Sequence, residues 1–132
     1  MNLLLDTHIW IWNHLAPQKI SSQVNAMLAA TENDLWLSPV SVWELIVLVE
    51  KKRLELEKDL HEWVQQSKRE LMLQEAPLSW EVADELRYTL LRQRDPADRF
   101  LVATARVYDL TLVTADESLM DVPGLKVLKN RC

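Results

Sequence analysis

The chain predicts an α/β fold, a parallel sheet with helices on both faces, and three observations carry that prediction. Short apolar runs alternate with helical patterns in the order β-α-α-β-α-α-β-α-α-β-α-β, which implies parallel strands covered on both sides. Ser38-Pro39 and Asp95-Pro96 each pair a capping side chain with a proline at the first helical position, where its missing N–H leaves no orphan donor. The 132 residues, 48% hydrophobic and 27% charged, suffice for one packed core, so a single domain over residues 1–132 is expected.

Asn2 to Leu5 is an apolar run ending in Asp6, read as the first strand. A helix follows, carrying Ile9, Trp10, Ile11 and Trp12 and stopping near Pro17. Ser21 to Thr31 is a second helix with Val24, Met27 and Leu28 on one face, feeding the strand Asp34 to Leu37. The helix opened by Ser38-Pro39 runs through Val49 to the basic stop Lys51-Lys52-Arg53. Lys58 to Lys68 is amphipathic through Leu60, Trp63 and Val64, and Leu71-Met72-Leu73 is read as the third strand. Leu78 to Leu91, with Ser79 as its cap, and the segment from Asp95 through Ala105 are helices. Leu110 to Val113 is a strand, and Lys126 to Leu128 is the last one, after the turn Pro123-Gly124.

No apolar run approaches the roughly 18 residues of a membrane span, and Asp6 interrupts the N-terminal apolar stretch before it could serve as a secretion signal. With Cys132 as its sole cysteine, the chain has no internal disulfide, and a cytoplasmic location is expected. Any metal must then be held by oxygen or imidazole. A net charge of −5 argues against a protein that coats nucleic acid, although Arg87 to Arg106 holds five arginines against two acids. The single glycine leaves no phosphate-cradling loop.

Side chains leaving the carboxyl ends of parallel strands converge on the crevice where neighbouring connections diverge. Asp6 ends the first strand, Asp116 follows the Leu110 to Val113 strand, Asp98 sits in the first turn of the helix feeding that strand, and Glu44 lies in the helix after the second strand. The aspartates have simpler readings: Asp6 and Asp116 as helix caps, and Asp98 as a favourable charge at a helix start. Glu44 does not. Its helix is apolar nearly all round, and a carboxylate there needs compensation for lost hydration. A capping box Ser41-Val42-Trp43-Glu44 has the right spacing, but Ser38-Pro39 is the better start and places Glu44 more than a turn inside. Four acids in one cleft would repel one another unless a divalent cation joined them, and a carboxylate donor set suits Mg²⁺ or Mn²⁺. Such an ion can polarise a phosphoryl oxygen and activate water for in-line displacement, which makes the cleft a candidate phosphodiester-cleaving site.

The segments Leu3-Leu4-Leu5-Asp6-Thr7-His8, Ser38 through Leu45, Asp95 through Ala105 and Leu112-Val113-Thr114-Ala115-Asp116, in this order and spacing, resemble the PIN domain, specifically the VapC-like toxin ribonucleases of bacterial toxin-antitoxin modules. The resemblance covers essentially the whole chain. It implies a three-layer α/β/α fold around a five-stranded parallel sheet ordered 3-2-1-4-5. It also implies Asp6, Glu44, Asp98 and Asp116 as the catalytic and metal-binding quartet. The implied activity is cleavage of single-stranded or loop RNA with Mg²⁺ or Mn²⁺, and the implied partners are a cognate antitoxin and a second copy of the chain. Asp95 is an extra carboxylate beside the third motif, open to a capping or a ligand role.

Under this reading Asp6 and Asp98 bind the metal directly, Glu44 and Asp116 bind a second ion or orient water, and the O3′–P bond breaks. Arg99 is expected to grip phosphate through its fork, with a surface ion pair as the alternative. Thr7 and Thr114 adjoin the motif acids and belong to the expected substrate-contacting set, their hydroxyls otherwise supporting the site's ligands by hydrogen bonds or satisfying local backbone groups. Ser118 either touches phosphate or supports the last helix, and Arg87, Arg92 and Arg94 lie on an RNA-facing rim or a solvated face. His8 and His14 are six apart, not the four that would place two rings on one helical face, and are read as structural. Trp10, Trp12, Trp36 and Trp43 are read as core or dimer packing, and Met72 and Met120 as core fillers. Competing readings are a Mg²⁺-dependent phosphatase or receiver-like domain and a PIN-like binding module without activity. The first lacks a second aspartate two residues after Asp6 and a lysine after the Leu110 to Val113 strand.

Overall fold

The computed structural model describes residues 1–89 and 95–131. Its strands β1 (Asn2–Leu5), β2 (Asp34–Leu37), β3 (Gln74–Glu75), β4 (Thr111–Thr114) and β5 (Val127–Lys129) form one five-stranded sheet ordered β3-β2-β1-β4-β5. Every pairing is parallel, with Leu3 opposite both Leu35 and Thr111. The helices are α1 (Thr7–Leu15), α2 (Ser22–Ala29), α3 (Pro39–Glu50), α4 (Leu60–Glu70), α5 (Trp80–Glu85), α6 (Pro96–Val107) and α7 (Glu117–Met120).

The alternation of a strand's side chains divides the interior in two. From β1, Leu3 and Leu5 enter a core with Ile9, Trp10, Val24, Leu45, Trp63 and Val64, while Leu4 enters an opposite core with Leu101, Val102, Leu112 and Leu119. All three leucines are fully buried, as a central strand covered on both faces requires. Helix starts follow their capping chemistry: Ser21, Ser38, Asp59, Ser79 and Asp95 each accept a backbone N–H of the following turn.

One polar junction crosses the first core. The Trp10 indole N–H donates to Ser67 Oγ at 2.7 Å, and His14 Nε2 stands 2.6 Å from the same oxygen. Ser67 Oγ accepts from the Trp10 indole and shares a hydrogen bond with the His14 ring. Burial lowers the His14 pKa and so favours the neutral ring, while the nearby Glu70 carboxylate favours the charged one and opposes the shift.

The third strand forms three residues later than the apolar run suggests. Leu71 to Leu73 instead close α4: the N–H groups of Leu71 and Leu73 donate to the carbonyls of Ser67 and Lys68, and Met72 takes a left-handed φ of 51°. Met72 is consequently 81% exposed and is no core filler, whereas Met120 is buried. Carbonyls freed at the helix end captured these residues before the sheet could. The helix expected over Leu78 to Leu91 shortens to α5 and a 3-10 turn at Leu86–Tyr88, and its end lies outside the described residues, as do Arg92, Arg94 and Cys132. No described helix is long and apolar enough to cross a membrane.

Candidate active site

Asp6, Glu44, Asp98 and Asp116, drawn from four separate segments, line one cleft of about 340 Å³ at the carboxyl ends of the central strands, and Asp95 joins them. A second concavity of about 350 Å³, beside Pro39, Val42 and Leu73, has Glu75 as its single carboxylate, so the acid chemistry belongs to the first.

Each acid reaches the cleft for a local reason. Asp6 leaves β1 in extended backbone and caps α1, its Oδ1 accepting from Thr7 N at 2.8 Å. Parallel pairing of Leu5 with Val113 brings the end of β4 alongside, and the Thr114 hydroxyl donates to Asp6 Oδ2 at 2.6 Å. The same Thr114 oxygen accepts from Asp116 N at 3.0 Å, so one side chain orients two acids. Asp116 caps α7, with Ser118 N and Oγ both donating to its Oδ1. The capping and cleft-lining readings of Asp6 and Asp116 are therefore compatible. Glu44 lies well inside α3, whose cap is Ser38, and Thr7 Oγ1 donates to its Oε1. Thr7 is also 2.8 Å from Ser41 Oγ, and because its one proton goes to Glu44, Ser41 donates in that contact.

Asp98 differs from the others. It lies in the first turn of α6, and no described residue donates a hydrogen bond to its carboxylate. Burial, followed by repulsion from Asp6, Asp95, Asp116 and Glu44, pushes its pKa to about 7. Desolvation raises Asp6 and Glu44 as well, against the hydrogen bonds from Thr114 and Thr7. Among the described residues no three His, Cys, Asp or Glu side chains stand close enough to hold a metal ion as they are drawn. The acids share a cleft rather than one coordination sphere. The donor set nonetheless fits a hard divalent cation: it offers carboxylate oxygens, their charges repel, and Asp98 has no donor among the described residues.

The groups expected to contact substrate, Arg99, Thr7 and Thr114, have protein partners in the structure. Arg99 Nη2 donates to Leu86 O at 2.8 Å and its Nε to Thr89 O at 3.2 Å, tying the turn after α5 to α6 rather than facing the cleft. The two threonine hydroxyls are held by the acids they orient. Arg87 pairs with Asp84 at 3.0 Å. Two residues read as structural or as packing, His8 and Trp12, lie in the cleft wall with Ala115. Four residues apart and starting two after Asp6, they share the face of α1 on which Asp6 opens, and Trp12 also packs against the core as expected.

The PIN domain family model matches residues 3–125. The chain belongs to the PIN domain family. Among curated PIN relatives, it is 29% identical over 122 residues to ribonuclease VapC22 of Mycobacterium tuberculosis, covering 89% of this chain and 88% of that protein. It superposes with a TM-score of 0.72 on VapBC2 from Rickettsia felis, solved bound to a DNA fragment from its promoter, at 20% identity over 99% of this chain and 100% of the other. VapBC-5 of Mycobacterium tuberculosis, a member of the VapBC family of toxin-antitoxin systems, superposes at a TM-score of 0.62 and 16% identity, covering 99% and 98% of the two chains. The likeness to these structures is one of fold, and this chain's sheet order is the one that the family resemblance implied.

Proposed function

We propose that this PIN domain is a metal-dependent endoribonuclease that acts as the toxin of a toxin-antitoxin module, cleaving single-stranded or loop RNA in the acidic cleft. The observation that carries the reading is Asp98, a half-buried carboxylate with no hydrogen-bond donor among the described residues, facing four other acids. Such a group is costly to a fold unless it has work to do with a cation. Family membership and the ribonuclease relative support the reaction class.

Asp6 and Asp98 would hold Mg²⁺ or Mn²⁺ directly, with Glu44 and Asp116 holding a second ion or orienting water. The ion supplies Lewis-acid stabilisation of the phosphoryl group when bound. The chain's own contribution is positioning. Thr114 fixes the rotamers of Asp6 and Asp116 together, and Thr7 commits Glu44 Oε1, leaving Oε2 to orient the attacking water. Attack by water breaks O3′–P and leaves a 5′-phosphate and a 3′-hydroxyl. A cognate antitoxin and a second copy of the chain are the proposed partners, and the cytoplasm the proposed location.

The test is cleavage of single-stranded RNA by the purified protein with Mg²⁺ or Mn²⁺ and with EDTA. The reading expects metal-dependent cuts with 5′-phosphate ends, absent in Asp98→Asn. Cleavage unaffected by EDTA or by Asp98→Asn would contradict it, and absence of cleavage under all conditions would favour the inactive binding module. The phosphatase or receiver-like alternative falls with membership of the PIN family.

A further inference from the structure

We propose that His8 and Trp12 form a nucleobase-binding ledge beside the acidic cleft, which holds the unpaired base next to the phosphate to be cleaved. The inference deepens the ribonuclease reading and rests on it. An RNA strand is a polyanion, and a cleft of five carboxylates repels it. Bases are neutral, and their faces stack on aromatic side chains for about 1–3 kcal/mol each, so an aromatic wall can supply attraction that the acids cannot.

The geometry suits that role. His8 and Trp12 lie one turn apart on α1, with ring centroids 5.8 Å apart and planes tilted by 51°. Both line the cleft that holds Asp6 and Asp98. Trp12 is set firmly: its inner side packs against the core that includes Trp10 and Leu45, and Lys19 Nζ lies 5.2 Å from the centre of its ring. His8 is exposed. The exposed tryptophans, Trp43 and Trp80, are not part of the cleft wall, whereas the partly buried Trp12 is. A ledge that grips a base face also excludes duplex RNA, whose base faces are covered by their stacked neighbours.

The experiment maps the cut site with a single-stranded RNA pool of randomised sequence. It then compares a substrate cut at that site with versions carrying one abasic nucleotide at each flanking position. For the wild type with Mn²⁺, loss of one flanking base should lower kcat/KM about tenfold. In Trp12→Leu the intact substrate should fall by a similar factor and the abasic penalty should disappear, while Trp12→Phe keeps most of it. His8→Ala, at an exposed position, should reduce the penalty about threefold and guards against misfolding of the tryptophan variant. Equal cleavage of intact and abasic substrates by the wild type, or a penalty unchanged in Trp12→Leu and His8→Ala, overturns the ledge and leaves the ribonuclease reading standing. If the wild type cleaves no RNA in the pool, the ribonuclease reading itself fails, and the ledge fails with it.

Discussion

Two polar clusters meet helix α1, and they are built on opposite rules. At the α1–α4 junction, Trp10, Ser67 and His14 are buried or nearly so, and each polar group has a partner: the indole donates to the hydroxyl, and the hydroxyl shares a hydrogen bond with the imidazole. In the cleft on the other side, acids crowd together and Asp98 has no donor among the described residues. A matched polar cluster rigidifies a core, whereas an unmatched one is a standing cost retained for a ligand. Both clusters shift pKa values through burial, so the shift alone does not distinguish them; the hydrogen-bond inventory does.

The contrast breaks most visibly in activity. Asp6→Asn or Asp98→Asn should lower RNA cleavage by about 10³-fold or more, on the scale of losing a main electrostatic contact to the reacting phosphate, with an unchanged circular dichroism spectrum. Ser67→Ala should leave kcat within about twofold, the scale on which a remote substitution merely adds. It should cost about 1–3 kcal/mol in a urea melt, because it strands the Trp10 N–H. Opposite signs are therefore expected in metal-free stability: Ser67→Ala lowers the melting temperature, and Asp98→Asn raises it by about 4 °C, near the effect of 1 kcal/mol in a domain of this size.

The pH dependence sharpens the comparison further. Asp98 titrates near 7 in the fold against an ordinary value of 3.8, so the folded state binds the extra proton. Its contribution is full below about pH 4 and is lost as pH rises through about 7. His14 is shifted down from 6.5, so its contribution is present above that value and is lost as pH falls below it. Urea melts of the metal-free protein from pH 4 to 8 should show a decline on the alkaline side that Asp98→Asn flattens. The acid-side loss should be flattened by His14→Gln. The same decline in both variants as in the wild type would remove the distinction.

Most of the fold was legible in the chain because its signals are local. Ser38-Pro39, Asp95-Pro96 and the apolar runs around Asp6 and Thr114 mark their elements by capping and alternation. The third strand was displaced because Leu71 to Leu73 are apolar enough for a strand yet follow a helix whose terminal carbonyls needed donors, a competition that periodicity does not reveal. The acids of the cleft were legible through motif order and topology. Arg99 was not: its guanidinium serves the carbonyls of Leu86 and Thr89, and no pattern in sequence shows where a carbonyl lacks a donor. His8 and Trp12 reach the cleft wall through a four-residue spacing that puts both on the face of α1 where Asp6 opens.

The account stands on the cleft's acids holding a hard cation, and titration of Mn²⁺ into the wild-type protein and Asp98→Asn by calorimetry tests that most directly. Saturable uptake by the wild type, weakened at least about tenfold in the variant, is the predicted result. No uptake by the wild type, or equal uptake by both, would contradict it.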